Sequence, residues 1–202
     1  TTYLGNAFQS SNTVSNVLFE LLAAGALSAV LVPSFVSHLD RGDTRGAESL
    51  AGELLGVAVL VLGAVSLIGM VLAPWIADLL TAAVDDPSIA TQQQQLTTFL
   101  LWFFIPQVVL YAFGAIATAV LHSQRSFVVP AMAPIGNTVV MVAFLAAFRV
   151  MAGPDPGLDL SFAEQLMLAL GGTLGVVAFV AVPMIAVWRS GFRLRPRFTR
   201  QH

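Results

Sequence analysis

The sequence contains neither cysteine nor lysine. Without thiols there can be no disulfide, no zinc–thiolate site and no cysteine nucleophile. Charge of either sign is scarce, at 10% of 202 residues, where a soluble domain carries about a quarter. A chain so poor in charge cannot cover a water-facing surface of ordinary size. That excludes most soluble enzymes and nucleic-acid binders. The three histidines, His38, His122 and His202, form no HExxH or other metal spacing. A Walker-type phosphate loop and a GxSxG elbow are also missing. No cofactor, resident metal or catalytic group is expected, and the work of such a chain is transport or scaffolding rather than bond chemistry.

What is present is apolar. Hydrophobic residues make up 57% of the chain, and the mean hydropathy is +0.84. A helix crosses the hydrocarbon core with about 20 apolar residues. Five runs meet that length, at about 7–36, 50–77, 96–121, 127–148 and 166–188. They are too long and continuous for barrel strands. The expected fold is therefore all-α, a polytopic transmembrane helix bundle of about five spans. Pro33, Pro74, Pro106, Pro134 and Pro183 fall in or near these runs. Membrane helices tolerate proline where neighbours satisfy the freed carbonyls. The chain opens at Thr1 in a polar stretch without an initiator Met or signal-peptide n-region, as expected of an internal piece of a longer protein.

The arginines are distributed unevenly. Arg41 and Arg45 lie in the first loop, Arg125 in the third, and Arg189, Arg193, Arg195, Arg197 and Arg200 in the tail. Only Arg149 falls on the other side. The positive-inside rule places the first set in the cytoplasm, with the Thr1 end outside and the His202 end inside. Membrane lipids are the expected partners of the tail, through anionic headgroups. Nucleic acid is not an expected partner.

The first run carries the most informative polar residues. Gln9, Asn12, Asn16 and Glu20 are spaced by three, four and four, which puts them on one face of a helix. Ala24 and Ser28 continue that stripe. Glu20 lies roughly 12 Å along the axis from Asn12, at 1.5 Å per residue. An intramembrane carboxyl is costly and faces a bundle interior or a wet cavity. Glu20 therefore reads either as a cavity residue handling protons, cations or a polar headgroup, or as a tie to a neighbouring helix; the first is favoured. Asn12 and Asn16 taken alone read as interhelical hydrogen-bonding groups. Gly25, Ser28 and Ala29 form a small-residue packing surface. Asn137, just after Pro134, lines a cavity or serves carbonyls freed by the proline.

Several of these residues also sit in a family pattern. Gly25-Ala26-Leu27-Ser28 followed by Val32-Pro33-Ser34-Phe35 resembles the GAxS…VPxF signature of the MurJ/MviN lipid II flippases. Asn6-Ala7-Phe8 is similar to that family's Asp-Ala-Phe, and Asn16 to the Asn of its Pro-Asn pair. Leu121, Phe127, Pro130-Ala131, Ala133-Pro134 and Asn137 resemble its L…F-x-x-P-A-x-A-P-x-x-N block. The resemblance covers essentially the whole chain in order.

It implies a fragment of the first lobe of a MOP-superfamily exporter, helices two to six, in a bacterial plasma membrane. The implied activity is alternating-access movement of an undecaprenyl-pyrophosphate-linked peptidoglycan precursor to the outer leaflet, in support of cell-wall synthesis. Cell-wall synthesis proteins are implied as further partners. The candidate cavity residues are Asn12, Asn16, Glu20, Ser28 and Asn137, with Arg41, Arg45 and Arg125 on the cytoplasmic face. The chain departs from the family at Ser15, which replaces the proline, and at Phe19 and Glu20, where many members carry adjacent arginines. The acid resembles the actinobacterial branch. Two alternatives stay open: a cation- or proton-coupled exporter using Glu20, and a non-transporting scaffold for cell-wall enzymes.

Overall fold

The computed structural model describes residues 3–20, 35–38 and 41–196. Six helices organise them: α1 (Tyr3–Phe19), α2 (Thr44–Thr81), α3 (Pro87–Phe104), α4 (Gln107–Ser123), α5 (Val128–Ala152) and α6 (Phe162–Arg189). No strand occurs among the described residues. Nearly half of the first apolar run, residues 21–34, lies outside them.

Short polar signals set the helix starts. Asp43 caps α2, accepting from the Gly46 N–H at 2.8 Å. Asp86 caps α3 through the N–H groups of Ser88 and Ile89, with Pro87 as the first helical residue. Ser161 and Glu164 form a reciprocal capping box on α6. At the far end of α5, Gly153 takes φ 83°, and its N–H closes on the Arg149 carbonyl at 3.1 Å.

Among the described residues, four stretches are long and apolar enough to cross a membrane: Thr44–Thr81, Pro87–Ser123, Val128–Ala152 and Phe162–Arg189. The third predicted run is not one continuous helix, because it breaks at Ile105 and Pro106. Pro106 has no N–H to continue the ladder. The Ile105 carbonyl turns to the Val108 N–H at 3.2 Å, and Ser66 Oγ of α2 approaches it at 3.5 Å. The second run extends beyond its predicted limits. At 38 residues, α2 measures about 57 Å by helix rise, well beyond a hydrocarbon core of about 30 Å.

An internal proline of α2 shows how such a helix survives in hydrocarbon. Pro74 cannot donate to the carbonyl four residues back, that of Met70. Trp102 of α3 supplies the missing donor, its indole Nε1–H reaching Met70 O at 3.2 Å. A tertiary hydrogen bond thus replaces one that the α2 backbone cannot make.

The broken α3–α4 rod is central. α1 and α2 pack on both of its halves, α6 lies across both, and α5 packs mainly on α6. Small residues on α6 permit the close approach. A Cβ on Gly172 would lie 2.5 Å from the Phe104 ring, and one on Gly171 would lie 2.8 Å from Phe144 Cβ. One apolar cluster joins Phe35, Ala47, Leu55, Val120, Val187 and Phe192. At the opposite end, Ala7, Leu96, Phe104, Phe148, Leu160 and Leu168 form another. The outward faces of α2 and α5 are apolar and exposed, including Leu67, Val71, Val139 and Val142. Water would not favour such faces, but lipid does.

The two ends differ in charge. One end gathers Arg41, Arg45, Arg125, Arg189, Arg193 and Arg195 where α2 begins and α4 and α6 finish. The tail is tied down there by the Arg193 N–H, which donates to Glu48 Oε1 at 2.8 Å. The other end holds Asp85, Asp86, Asp155, Asp159 and Glu164, with Arg149.

Candidate functional site

Three of the asparagines singled out in the sequence meet in space. Asn12 and Asn16 of α1, Tyr111 of α4, Asn137 and Met141 of α5, and Val176 and Phe179 of α6 line one cavity of about 280 Å³. The four helices come together because α1 and α6 both pack on α4, one half of the central rod, while α6 carries α5 on its back.

Local chemistry holds the walls in place. The Tyr111 hydroxyl donates to Asn16 Oδ1 at 2.9 Å, joining α4 to α1. The Tyr111 ring also stands nearly edge-on to Phe179, at 6.1 Å and 72°, a favourable arrangement of aromatic quadrupoles. One turn before Tyr111, Gln107 is only 1% exposed. Its Nε2 donates to Thr173 Oγ1 of α6 at 2.9 Å, while its Oε1 has no partner. Asn137 Oδ1 is likewise buried without a hydrogen bond. It presses on α6 at Gly175, where a Cβ would collide with it. Glycine there allows Asn137 to sit between α5 and α6.

The remaining predicted residues are placed differently. Gln9 leaves the stripe for a separate groove with Thr13, Val17 and Leu80. Glu20 is exposed at the end of the described part of α1 and does not line the cavity. Ser28 lies outside the described residues. Arg41, Arg45 and Arg125 are all exposed at the basic end. Arg125 takes a left-handed φ of 59° in the tight turn between α4 and α5. No group of three or more His, Cys, Asp or Glu among the described residues could hold a metal ion.

Sequence reasoning passed over Tyr111, Phe179 and Gly175. Gln107 and Tyr111 did carry a signal, since they are two polar groups four residues apart within the apolar stretch 99–117. That spacing marks a single helix face.

The family model for "Lipid II flippase MurJ" matches residues 1–202. The chain belongs to the MurJ family. Among curated relatives, the probable lipid II flippase MurJ of Rhizobium meliloti (strain 1021) is 28% identical over 201 residues, covering 97% of this chain and 36% of the relative. The Rhizobium tropici protein of the same name is 26% identical over 199 residues, covering 98% and 36%. That of Haemophilus influenzae is 27% identical over 201 residues, covering 96% and 37%. The chain thus spans little more than a third of the length of the MurJ relatives it matches. MurJ is a family of flippases rather than enzymes, and its membership together with four span-length helices makes this an inner-membrane, multi-pass chain.

Proposed function

We propose that this chain is part of the first transmembrane lobe of a lipid II flippase. That lobe moves an undecaprenyl-pyrophosphate-linked peptidoglycan precursor to the outer leaflet by alternating access, in support of cell-wall synthesis. Residues 1–202 supply about five spans of the lobe, near 7–36, 50–77, 96–121, 127–148 and 166–188. The observation that carries the reading is the cavity itself. Asn12, Asn16 and Asn137, remote in sequence, face a common space between α1, α4, α5 and α6. The family match and the relatives' names support this reading over a coupled exporter or a scaffold.

Glu20, one turn beyond Asn16, extends the polar line of α1 toward the basic end, and Ser28 follows at the same spacing in the sequence. Both belong to the substrate path in this reading. The basic end, with Arg41, Arg45 and Arg125, faces the cytoplasm, as the positive-inside rule requires. The Thr1 end then lies outside and the His202 end inside. Cell-wall synthesis proteins are the expected further partners.

The test is replacement of a depleted flippase by the full-length gene that contains this chain. Growth and normal cell shape are expected, and Asn137→Leu should impair both. Lysis despite a well-expressed, correctly inserted protein would refute the proposal.

A further inference from the structure

Beyond α6 the chain turns back over the helix end. Gly191 takes φ 84°, and the Ser190 and Gly191 N–H groups close on the Ala186 and Trp188 carbonyls at 3.0 and 3.1 Å. Residues 192–196 then run without helix, with apolar and basic side chains alternating from 192 to 195. Phe192 is buried in the cluster with Phe35, Leu55, Val120 and Val187, and Leu194 packs against that cluster. Arg193 and Arg195 are exposed, as a period of two requires of an extended segment with one face buried. The Arg193 N–H, bonded to Glu48 Oε1, fixes the backbone between them and the bundle.

This turn leaves a pocket of about 340 Å³ between the last turns of α6 and the returning tail. Met184, Val187 and Trp188 form one wall, and Arg193, Leu194 and Arg195 the other. Trp188 is exposed at the end of a span, where indoles sit at headgroup level. Among the described residues no carboxylate pairs with either guanidinium, since Glu48 meets Arg193 only through the backbone. A helix C-terminus disfavours anions with about half an elementary charge, which two arginines outweigh. A ligand that meets both an arginine pair and an apolar wall must be an amphiphilic anion. Guanidinium groups bind phosphate through paired N–H donors, and basic pockets beside membrane spans take lipid headgroups.

We infer that this pocket binds one anionic glycerophospholipid, with its phosphate between Arg193 and Arg195 and an acyl chain along Met184 and Trp188. Such a site differs from the diffuse attraction of an arginine-rich tail for a membrane. It depends on which arginines are present rather than on how many. It is separate from the cavity at Asn16 and stands whether or not the flippase reading does.

The test uses the full-length protein in detergent micelles. It is titrated with phosphatidylglycerol or phosphatidylcholine carrying brominated chains, which quench a nearby indole. Trp188→Phe identifies the share of quenching that belongs to the pocket. Salt is held at about 0.5 M, where diffuse attraction is largely screened. Arg193→Gln with Arg195→Gln should weaken phosphatidylglycerol binding about 30-fold, or about fivefold per arginine, and leave phosphatidylcholine unchanged. Arg197→Gln with Arg200→Gln removes the same charge from the tail and should change binding by about twofold at most. Equal losses in the two double variants would leave only diffuse attraction and overturn the site. A parent whose Trp188 is quenched equally by both lipids would overturn it too. Displacement of the lipid by equimolar inorganic phosphate would assign the pocket to a free ion and overturn the lipid as its ligand.

Discussion

The bond between Trp102 and Met70 offers the sharpest test of how this bundle is held together. Pro74 leaves the Met70 carbonyl without its usual donor inside a long apolar helix, and the Trp102 indole reaches it at 3.2 Å. Trp102→Phe keeps an aromatic ring and deletes only the N–H and the second ring. The carbonyl then stays unpaired in hydrocarbon. Measured interhelical hydrogen bonds in membranes average about 0.6 and reach about 1.7 kcal/mol, while an unsatisfied buried group costs about 1–3 kcal/mol. A destabilisation near 1 kcal/mol is expected. Some of that loss would come from ring packing, so the single variant does not isolate the bond. Pro74→Ala provides the control, because the substitution restores an N–H to the Met70 carbonyl within α2. On that background Trp102→Phe should cost only its packing share, and the coupling from the double-mutant cycle should be about 0.5–1.5 kcal/mol. Unfolding in mixed micelles followed by circular dichroism reads this without relying on tryptophan fluorescence. Equal cost of Trp102→Phe on both backgrounds would refute the argument.

Other expectations follow from the same geometry. Gly172→Ala should destabilise the bundle by about 1–3 kcal/mol, measured in the same unfolding assay, because its Cβ would meet the Phe104 ring, itself packed edge-on against Phe8 at 5.5 Å. The hydrogen bonds from the Ser88 side chain, the Ser88 N–H and the Ile89 N–H hold the Asp86 carboxyl below its ordinary value of 3.8. The cap therefore stabilises α3 fully above that value, and the contribution fades as pH falls through the lowered one. Asp86→Ala should lose stability at neutral pH and show a weaker acid dependence in a pH series of unfolding curves. Since the chain has no cysteine, single replacements report orientation directly. Ser123→Cys should react with a membrane-impermeant thiol reagent only from the cytoplasmic side, and Asp155→Cys only from outside; the reverse pattern would invert the topology. Gly175→Ala should displace Asn137, reduce complementation by the full-length gene and leave membrane insertion intact, as checked by cell growth and by the amount of protein in the membrane fraction.

Much of the architecture was legible in the residues. Helices in lipid must satisfy their own backbone, so an uninterrupted apolar run is nearly a statement of structure. The fourth and fifth runs, 127–148 and 166–188, correspond to α5 and α6 within a few residues. Local signals at Asp43, Asp86 and Ser161 mark helix starts because their partners are only two or three residues away. The break at Pro106 was less legible. Pro74 and Pro183 sit inside continuous helices, whereas Pro106 ends one. Proline removes the same N–H in each case, and the outcome depends on which neighbour accepts the consequence.

Composition and periodicity determined that this chain lives in a membrane, which way its charges divide and which face of α1 is polar. They did so because hydrophobic length, loop charge and helical spacing are properties of a single segment. Tertiary structure decided which of those polar residues belong together. It separated Gln9 and Glu20 from Asn12 and Asn16, brought Asn137 across from α5, and added Tyr111 and Phe179. That selection depends on close approach between helices, at Gly175 and Gly172 on α6 above all. The spacing of residues along one helix holds no information about how near another can come.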